Sequence, residues 1–407
     1  MKHTAPHREG ASLVNANQTP LETLRLRVRA FIDEDVIPCE DNALAHDFAA
    51  QDRVIHALRE KAREAGVLGP GIARELGGLG LSFRERAVIL EEAGRSLLGP
   101  HALHAGPPDE TNIVMLASLC TDAQRERYLK PLAAGTARSC FAMTEPPPGA
   151  GSDPSMLLTR ATRRDGRWVI DGRKWFISGA LGADFAIVMA QTDSGPTMFI
   201  VDTDTPGYRM VRVIDALDGF ISSHCELAFE GCTVGDDAVL GQVGEGFGHA
   251  QLRLEPARLT HCMRFIGAAQ RALDIAARYV AGRDSFGKPL AQHQAVQTLI
   301  ADSQIDLYAA RLMTYDVATR MDAGQSVKQE SSMAKVFVSE AVGRVVDRAV
   351  QLTGAFGISG DTVLSALYRE VRPFRIFDGA SEVHRAAIAQ RALRQYAPPA
   401  RETRRGR

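Results

Sequence analysis

The sequence predicts an α+β chain that is mostly α: an N-terminal helical domain, a central β domain and a C-terminal helical bundle. Three observations predict it. Apolar residues recur three or four apart over residues 21 to 132 and again after residue 246, the period of helices with one buried face. Between those stretches the chain changes to short β-favouring runs broken by Gly, Pro, Asp and Thr. A length of 407 residues exceeds one ordinary core and suggests two or three domains.

Taken in order, residues 1–20 are polar, lack the apolar run of a signal peptide and read as a flexible segment. The helical domain, 21–135, carries LETLRLRVRAFIDEDVI, VIHALREKAREAG ending in glycine, and RERAVILEEAGRSLLG. The Gly-rich ELGGLGLSF between the second and third of these lacks the order of a nucleotide-binding loop and a strand before it, and reads as a turn. The β domain, 136–245, opens with TRRDGRWVIDGRKWFISGA. Its Asp165-Gly166 and Asp171-Gly172 pairs, each between β-favouring residues, are hairpin signals. ADFAIVMAQ, TMFIVDTD and HCELAFEGCTV follow as strands. In the bundle, 246–396, helical stripes run through Ile266, Ala269, Leu273, Ala276, Ala277 and Val280. A second holds Val296, Ile300, Leu307 and Ala310, and a third Val338, Val342, Val345, Val346 and Ala349. Residues 397–407 form a basic tail.

The composition narrows the class of partner. With 48 basic against 49 acidic side chains there is no net field to favour nucleic acid or an anionic membrane. No segment has the roughly 18 uncharged apolar residues of a membrane span. The six cysteines lie far apart with no C-x-x-C pair, which argues against a zinc site or disulfide framework and for a reducing compartment, the cytoplasm. No metal site is expected, and partners should be small molecules or copies of the chain itself.

Three stretches carry chemistry. SCFAMTEPPPGAGSD, residues 139 to 153, starts as a strand and turns through prolines and glycines; its amides and the Thr144 and Ser152 hydroxyls suit a heterocycle edge or a phosphate. WFIS, residues 175 to 178, sets two aromatic residues beside a hydroxyl, able to meet a flat ring or simply to fill a β core. RPFRIFDGASEVHR, residues 372 to 385, places Asp378 before Gly379 among arginines. From the residues alone this reads as a turn, because Asp-Gly is a common way to bend a backbone.

The order of motifs resembles the acyl-CoA dehydrogenase family over nearly the whole chain. The stretches that carry it are QRERYLKPLAAGTARSCFAMTEP, GSD, IDGRKWFIS, GEGFG, RDSFGKPLAQHQAV, QLTGAFG and YREVRPFRIFDGASEVHR. The resemblance implies a three-domain FAD enzyme whose C-terminal domain is a four-helix bundle, a homodimer or homotetramer, acting on an acyl-CoA thioester. It would pass electrons to an electron-transfer flavoprotein or another acceptor. Carried onto this chain, it assigns the flavin ring and pyrophosphate to Phe141, Met143, Thr144 and Ser152, with Phe176, Ser178, Ser381 and Val383 also at the cofactor. Arg283, Phe286 and Gln294, with Gln351 and Gly354, match the adenosine-diphosphate clamp supplied by a neighbouring subunit, where a planar guanidinium suits phosphate.

Asp378 then falls where the family normally has glutamate, the base for the α-proton, and its amide would polarise the thioester carbonyl. Phe377 would line the acyl pocket and Gly379 admit the thioester. Glu255, Arg258 and Ser152 match positions along the substrate. Two features depart from the usual pattern. Aspartate is about 1.5 Å shorter in reach than glutamate, although one branch of the family carries this Asp-Gly followed by Glu-Val-His. PPGAG before Ser152 is longer than usual by about two residues. Some members place the base just before the arginine matching Arg258, where this chain has Ala257. Glu145 reads as structural, and His261, His293 and His384 as packing or surface residues. Alternatives within the fold are a nitroalkane-oxidase-like flavin oxidase or monooxygenase, a dehydrogenase of carrier-bound acyl groups, and a non-catalytic acyl-CoA-binding relative.

Overall fold

The computed structural model describes residues 19–43, 48–219, 221, 223–394 and 396. The expected basic tail, 397–407, lies outside the described residues, as does the expected flexible segment 1–20 apart from Thr19 and Pro20.

The helical readings hold from the first element. Thr19 caps the helix Pro20–Phe31, its side chain accepting the Glu22 amide, with proline in the first turn. Helices follow at Phe48–Glu64, at Phe83–Ala93 behind a Ser82/Glu85 capping box, and at Asp109–Leu119. The apolar faces of the first three meet around Val28, Ile32, Leu58, Ile89 and Leu90, and this core also takes in Leu259 and Met263 from the bundle, whereas Ile113, Met115 and Leu116 of Asp109–Leu119 pack with Ile187 and Met198 of the central domain. The helices Phe83–Ala93 and Gly246–Gly282 meet backbone to backbone. A methyl group on Gly94 would overlap the Arg264 carbonyl, and one on Gly267 the Glu91 carbonyl.

The central domain is an eight-stranded sheet. Strand β1 is Ser139–Ala142, β2 Arg160–Arg164, β3 Arg167–Ser178, β4 Phe185–Thr192, β5 Gly195–Asp202, β6 Tyr208–Ile214, β7 His224–Val234 and β8 Val239–Leu240. They lie in the order β6-β7-β3-β2-β4-β5-β8, with β1 parallel beside β4. Asp165 and Gly166 both take left-handed backbone (φ 49° and 75°) and close the β2–β3 hairpin, as their turn chemistry predicts. The second pair differs from expectation. Asp171-Gly172 lies inside β3 at a register shift against β7, because Asp171 Oδ1 accepts the Gly231 amide across the sheet (2.7 Å) and the strand runs on. The half-exposed edge strand β6, whose alternation is weak, has no sequence counterpart above.

The bundle consists of Gly246–Gly282, Gln294–Asp322 and Lys328–Thr353, joined by the shorter Leu364–Val371 and Ser381–Arg394. The predicted stripes largely face its core: Ile266, Leu273, Leu307, Val338, Val342 and Val345 are buried together with Leu364 and Phe374. Among the described residues no helix is long and apolar enough to cross a membrane.

Candidate active site

Asp378 sits on the bend between the single turn Arg372–Arg375 and the helix Ser381–Arg394, with left-handed backbone at both Asp378 (φ 52°) and Gly379 (φ 95°). The Asp-Gly pair is therefore a bend as its chemistry suggests, and the bend is over-determined. The Asp378 carbonyl accepts from Arg258 Nε (3.1 Å) and from His384 Nε2 (3.1 Å). The Gly379 carbonyl accepts from Nζ of the fully buried Lys335 (2.7 Å). A side chain at residue 379 would press on the His384 ring, 2.7 Å from the position of its Cβ. Aspartate tolerates this backbone, as at Asp165; Asp378 differs in the number of side chains that hold its bend.

The carboxylate itself is only 16% exposed and lies beside His261, with Nε2 3.2 Å from Asp378 Oδ2. That approach lacks hydrogen-bond linearity, and Oδ2 has no other partner among the described residues. Burial acts to raise the Asp378 carboxyl. The His261 N–H and the charges of Arg253 and Arg258 outweigh it and hold the group well below the usual carboxylate range. The expectation that His261 is a packing or surface residue is corrected here. Its ring does stack on Phe265 and tilt against Phe377, but its two nitrogens face Asp378 and Arg264. His384, also expected to be a packing or surface residue, holds the bend; His293 contacts the Ser285 carbonyl in the small hairpin of Asp284–Ser285 and Lys288–Pro289.

Behind His261 a chain of contacts reaches the N-terminal domain. Arg264 NH2 lies 3.1 Å from His261 Nδ1, and Arg264 NH1 donates to Glu110 Oε2 (2.7 Å) and to the Ala105 carbonyl (2.9 Å). One turn of helix before Arg258, Arg253 donates to Asn112 Oδ1 (2.7 Å), and its guanidinium covers the Phe141 ring at 4.5 Å. Asn112 continues to Ser139 Oγ (2.9 Å), fixing β1 against the Asp109–Leu119 helix.

On the sheet side, Thr144 pairs with Trp175 through both backbone and hydroxyl, its carbonyl accepting the Trp175 amide (3.0 Å) and its Oγ1 donating to the Trp175 carbonyl (2.6 Å). Glu145 is structural, as expected. Buried, it accepts from Lys174 Nζ (2.9 Å) and from the amides of Ala150, Leu158 and Thr159, so it folds the whole loop that carries the exposed Ser152. Burial would raise this carboxyl, but the Lys174 charge and those donors hold it at about 2. Lys174 also donates to the Met143 carbonyl (3.0 Å). Phe176 has left-handed backbone (φ 51°) and is 47% exposed. Ser178 Oγ is 2.9 Å from His224 Nδ1, whose Nε2 is 3.2 Å from Asp218 Oδ1. Beside Asp218, burial pushes the Glu370 carboxyl up to about 7.

The remaining predicted residues divide. Phe377, Gly379 and Arg258 are at the bend with Asp378, and Glu255 is half-buried on the same long helix as Arg258. Ser381 is buried next to it, and its hydroxyl has no hydrogen-bond partner among the described residues. Val383 is exposed. Arg283, Phe286 (92% exposed) and Gln294 lie on the surface after the 246–282 helix, and Gln351 and Gly354 at the exposed end of 328–353; none of the five touches the Asp378 cluster. Sequence reasoning missed His261, Arg264, Glu110, Lys335, Lys174 and His224. Only Lys174, flanked by the aromatic WF pair within a strand, carried a local signal, as a charge at a position the strand alternation turns inward. Among the described residues no cluster of three or more His, Cys, Asp or Glu could hold a metal ion.

Three family models match the chain: "Acyl-CoA dehydrogenase, N-terminal domain" over residues 20–136, the middle domain over 140–232 and the C-terminal domain over 244–393. The (R)-benzylsuccinyl-CoA dehydrogenase of Thauera aromatica is 36% identical over 356 residues, 84% of this chain and 86% of the relative. "Acyl-CoA dehydrogenase family member 11" of Gallus gallus is 34% identical over 392 residues; these cover 90% of this chain but 49% of that protein, so the chain spans about half its length. The butyryl-CoA dehydrogenase of Megasphaera elsdenii superposes with a TM-score of 0.82 at 27% identity, covering 93% of this chain and 99% of the other.

Proposed function

Because this chain belongs to the acyl-CoA dehydrogenase family, whose members are flavoproteins, we propose that it desaturates an acyl-CoA thioester between its α and β carbons, with Asp378 as base. FAD, when bound, supplies the two-electron acceptor for the β-hydride. The observation that carries this reading is the ionised, nearly buried carboxylate of Asp378 on a bend fixed by Arg258, His384 and Lys335.

An α-proton beside a thioester is only mildly acidic, so the base has to be aimed and the carbonyl oxygen polarised. Left-handed backbone at Asp378 sets the direction of its short side chain. Its own amide and the cationic surroundings of Arg258 are the chain's means of stabilising negative charge on the thioester oxygen. A carboxylate held at low proton affinity is ionised throughout the neutral range. An acyl chain that displaces water from it raises that affinity at the moment the proton is taken. Phe377 lines the acyl side, Gly379 leaves room for the thioester, and Glu255 faces the CoA arm.

The residues present fit a flavin. The half-exposed Phe176 is a ring face awaiting cover, and the Ser178 hydroxyl beside it is oriented by His224. The buried, unpartnered Ser381 hydroxyl offers a donor to a polar rim. Phe141, Met143, Thr144, Ser152 and Val383 complete this set. Arg283, Phe286, Gln294, Gln351 and Gly354 would bind the adenosine-diphosphate half across a subunit boundary, in a homodimer or homotetramer. Reoxidation would fall to an electron-transfer flavoprotein or another acceptor.

Anaerobic titration of the purified protein with a panel of acyl-CoA thioesters, following loss of flavin colour, tests the reading. Asp378→Asn should keep FAD and lose the rate of bleaching by about 10²–10⁴-fold. Unimpaired bleaching by this variant rules Asp378 out as base. Oxygen consumption without a thioester indicates an oxidase on this fold.

A further inference from the structure

We infer that His261 is a positioning residue for Asp378: a neutral imidazole carrying its proton on Nε2, it lies against Oδ2 and leaves Oδ1 as the oxygen that meets the α-proton. The inference rests on the reading of Asp378 as base and deepens it.

The tautomer follows from the neighbours. Arginine in a protein only donates, so Arg264 NH2, 3.1 Å from His261 Nδ1, makes that nitrogen an acceptor. Arg264 cannot turn away, because Glu110 and the Ala105 carbonyl hold its other nitrogen at 2.7 and 2.9 Å. The ring proton is then on Nε2, 3.2 Å from Asp378 Oδ2. Burial, then the Arg264 charge, pulls His261 below its ordinary proton affinity, which keeps it neutral. Two consequences follow for the chemistry. His261 has no free lone pair, so it cannot receive the substrate proton from Asp378. And a carboxylate with one oxygen faced at 3.2 Å by an imidazole N–H presents the other in a narrowed range of directions, the constraint a side chain one methylene shorter than glutamate requires.

Among the described residues, these charged groups face the pair most strongly. Arg253 and Arg258 face Asp378 from the 246–282 helix, Lys335 from 328–353 and His384 from 381–394; Arg264 and Glu110 face His261. The arginines keep their charge at all working pH values. Lys335 is drawn down to about 8 by burial, and burial also lowers His384. Below pH 7 Lys335 therefore keeps its charge while His384 takes up its proton, so the effect of His261 is read by comparing variants over one and the same pH range.

The test uses the flavin-loaded protein labelled with 13C at the aspartate carboxyl, the Asp378 signal being assigned by its loss in Asp378→Asn. His261→Phe preserves the aromatic stack and removes the donor. His261→Gln restores an amide donor near the Nε2 position and an acceptor for Arg264. The expected result is a carboxyl midpoint at least about one pH unit higher in His261→Phe, returning towards wild type in His261→Gln. With the acyl-CoA that bleaches the wild-type flavin, kcat should fall about tenfold or more in His261→Phe with KM little changed. An unchanged midpoint in His261→Phe, or a raised one that glutamine does not lower, overturns the inference. Should His261→Phe fail to fold, 15N-histidine spectra of the wild-type protein decide: Nδ1 protonated at pH 7, alone or as imidazolium, overturns it. Full bleaching by Asp378→Asn overturns the base assignment, and with it the catalytic part of this role, whatever the carboxyl titration reports.

Discussion

Two buried carboxylates, Asp378 and Glu145, both lie below their ordinary proton affinity but for different purposes. Glu145 is enclosed with Lys174, their side chains 2% and 0% exposed, and three loop amides complete its hydrogen bonding. Removing one partner of such a pair strands a charge. Lys174→Met should cost about 3–5 kcal/mol of unfolding free energy in denaturant titration. It should also loosen the loop that carries Ser152. The pH dependence has a definite sign. With its folded value depressed to about 2 from 4.5, Glu145 contributes stability that is full above pH 4.5 and is lost as pH falls through 2. Thermal unfolding of the wild type against Glu145→Gln should converge at acid pH and separate near neutrality. The sequence marked Glu145 as structural from its turn context, yet could not indicate its partner, which a strand pairing brings in from 29 positions away. The same holds more strongly for His261. Its neighbours Asp378, Arg264 and Glu110 come from three elements, and no local pattern distinguishes a histidine that completes a site from one that fills a helix face.

At the scale of elements, turn chemistry was legible where it acts within a few residues. Asp165-Gly166 makes its hairpin because two adjacent left-handed residues leave the chain little alternative. Asp171-Gly172 presents the same letters, but a cross-strand bond to Gly231 keeps the strand going. The helical stripes were legible for the same reason the hairpin was, since periodicity records which face meets the core. What periodicity cannot record is how closely two helices approach. Phe83–Ala93 and Gly246–Gly282 touch at Gly94 and Gly267, where each backbone occupies the space a side chain would need. Gly94→Ala and Gly267→Ala should each destabilise by about 1–3 kcal/mol or more, read from urea midpoints. Both should slow bleaching by more than the loss of folded protein accounts for, because Arg264 sits on the displaced turn.

For the whole molecule, the surface carries an unspent set of apolar groups. Ile305, Tyr308 and Leu312, at spacings of three and four on the 294–322 helix, are 66%, 66% and 52% exposed, and Phe286 is 92% exposed. An apolar face of this kind on a helix is a site for association. Sedimentation should give a dimer or tetramer. A Tyr308→Glu/Leu312→Lys variant should shift it towards monomer and release FAD on dilution, whereas Phe286→Ala should weaken FAD retention about tenfold without dissociating the subunits. The proposed clamp residues Arg283, Phe286 and Gln294 lie on the surface of the chain, as a site completed by a second subunit would require. The contact between Gly94 and Arg264 extends to the chemistry at this scale. A helix advances about 1.5 Å per residue, so slipping one helix past the other by a single step would carry Arg264 off Glu110 and leave the imidazole free to turn. If Asp378 is the base, the machining tolerance of its proton transfer would thus be set by two residues that have no side chains, in a seam between two helices.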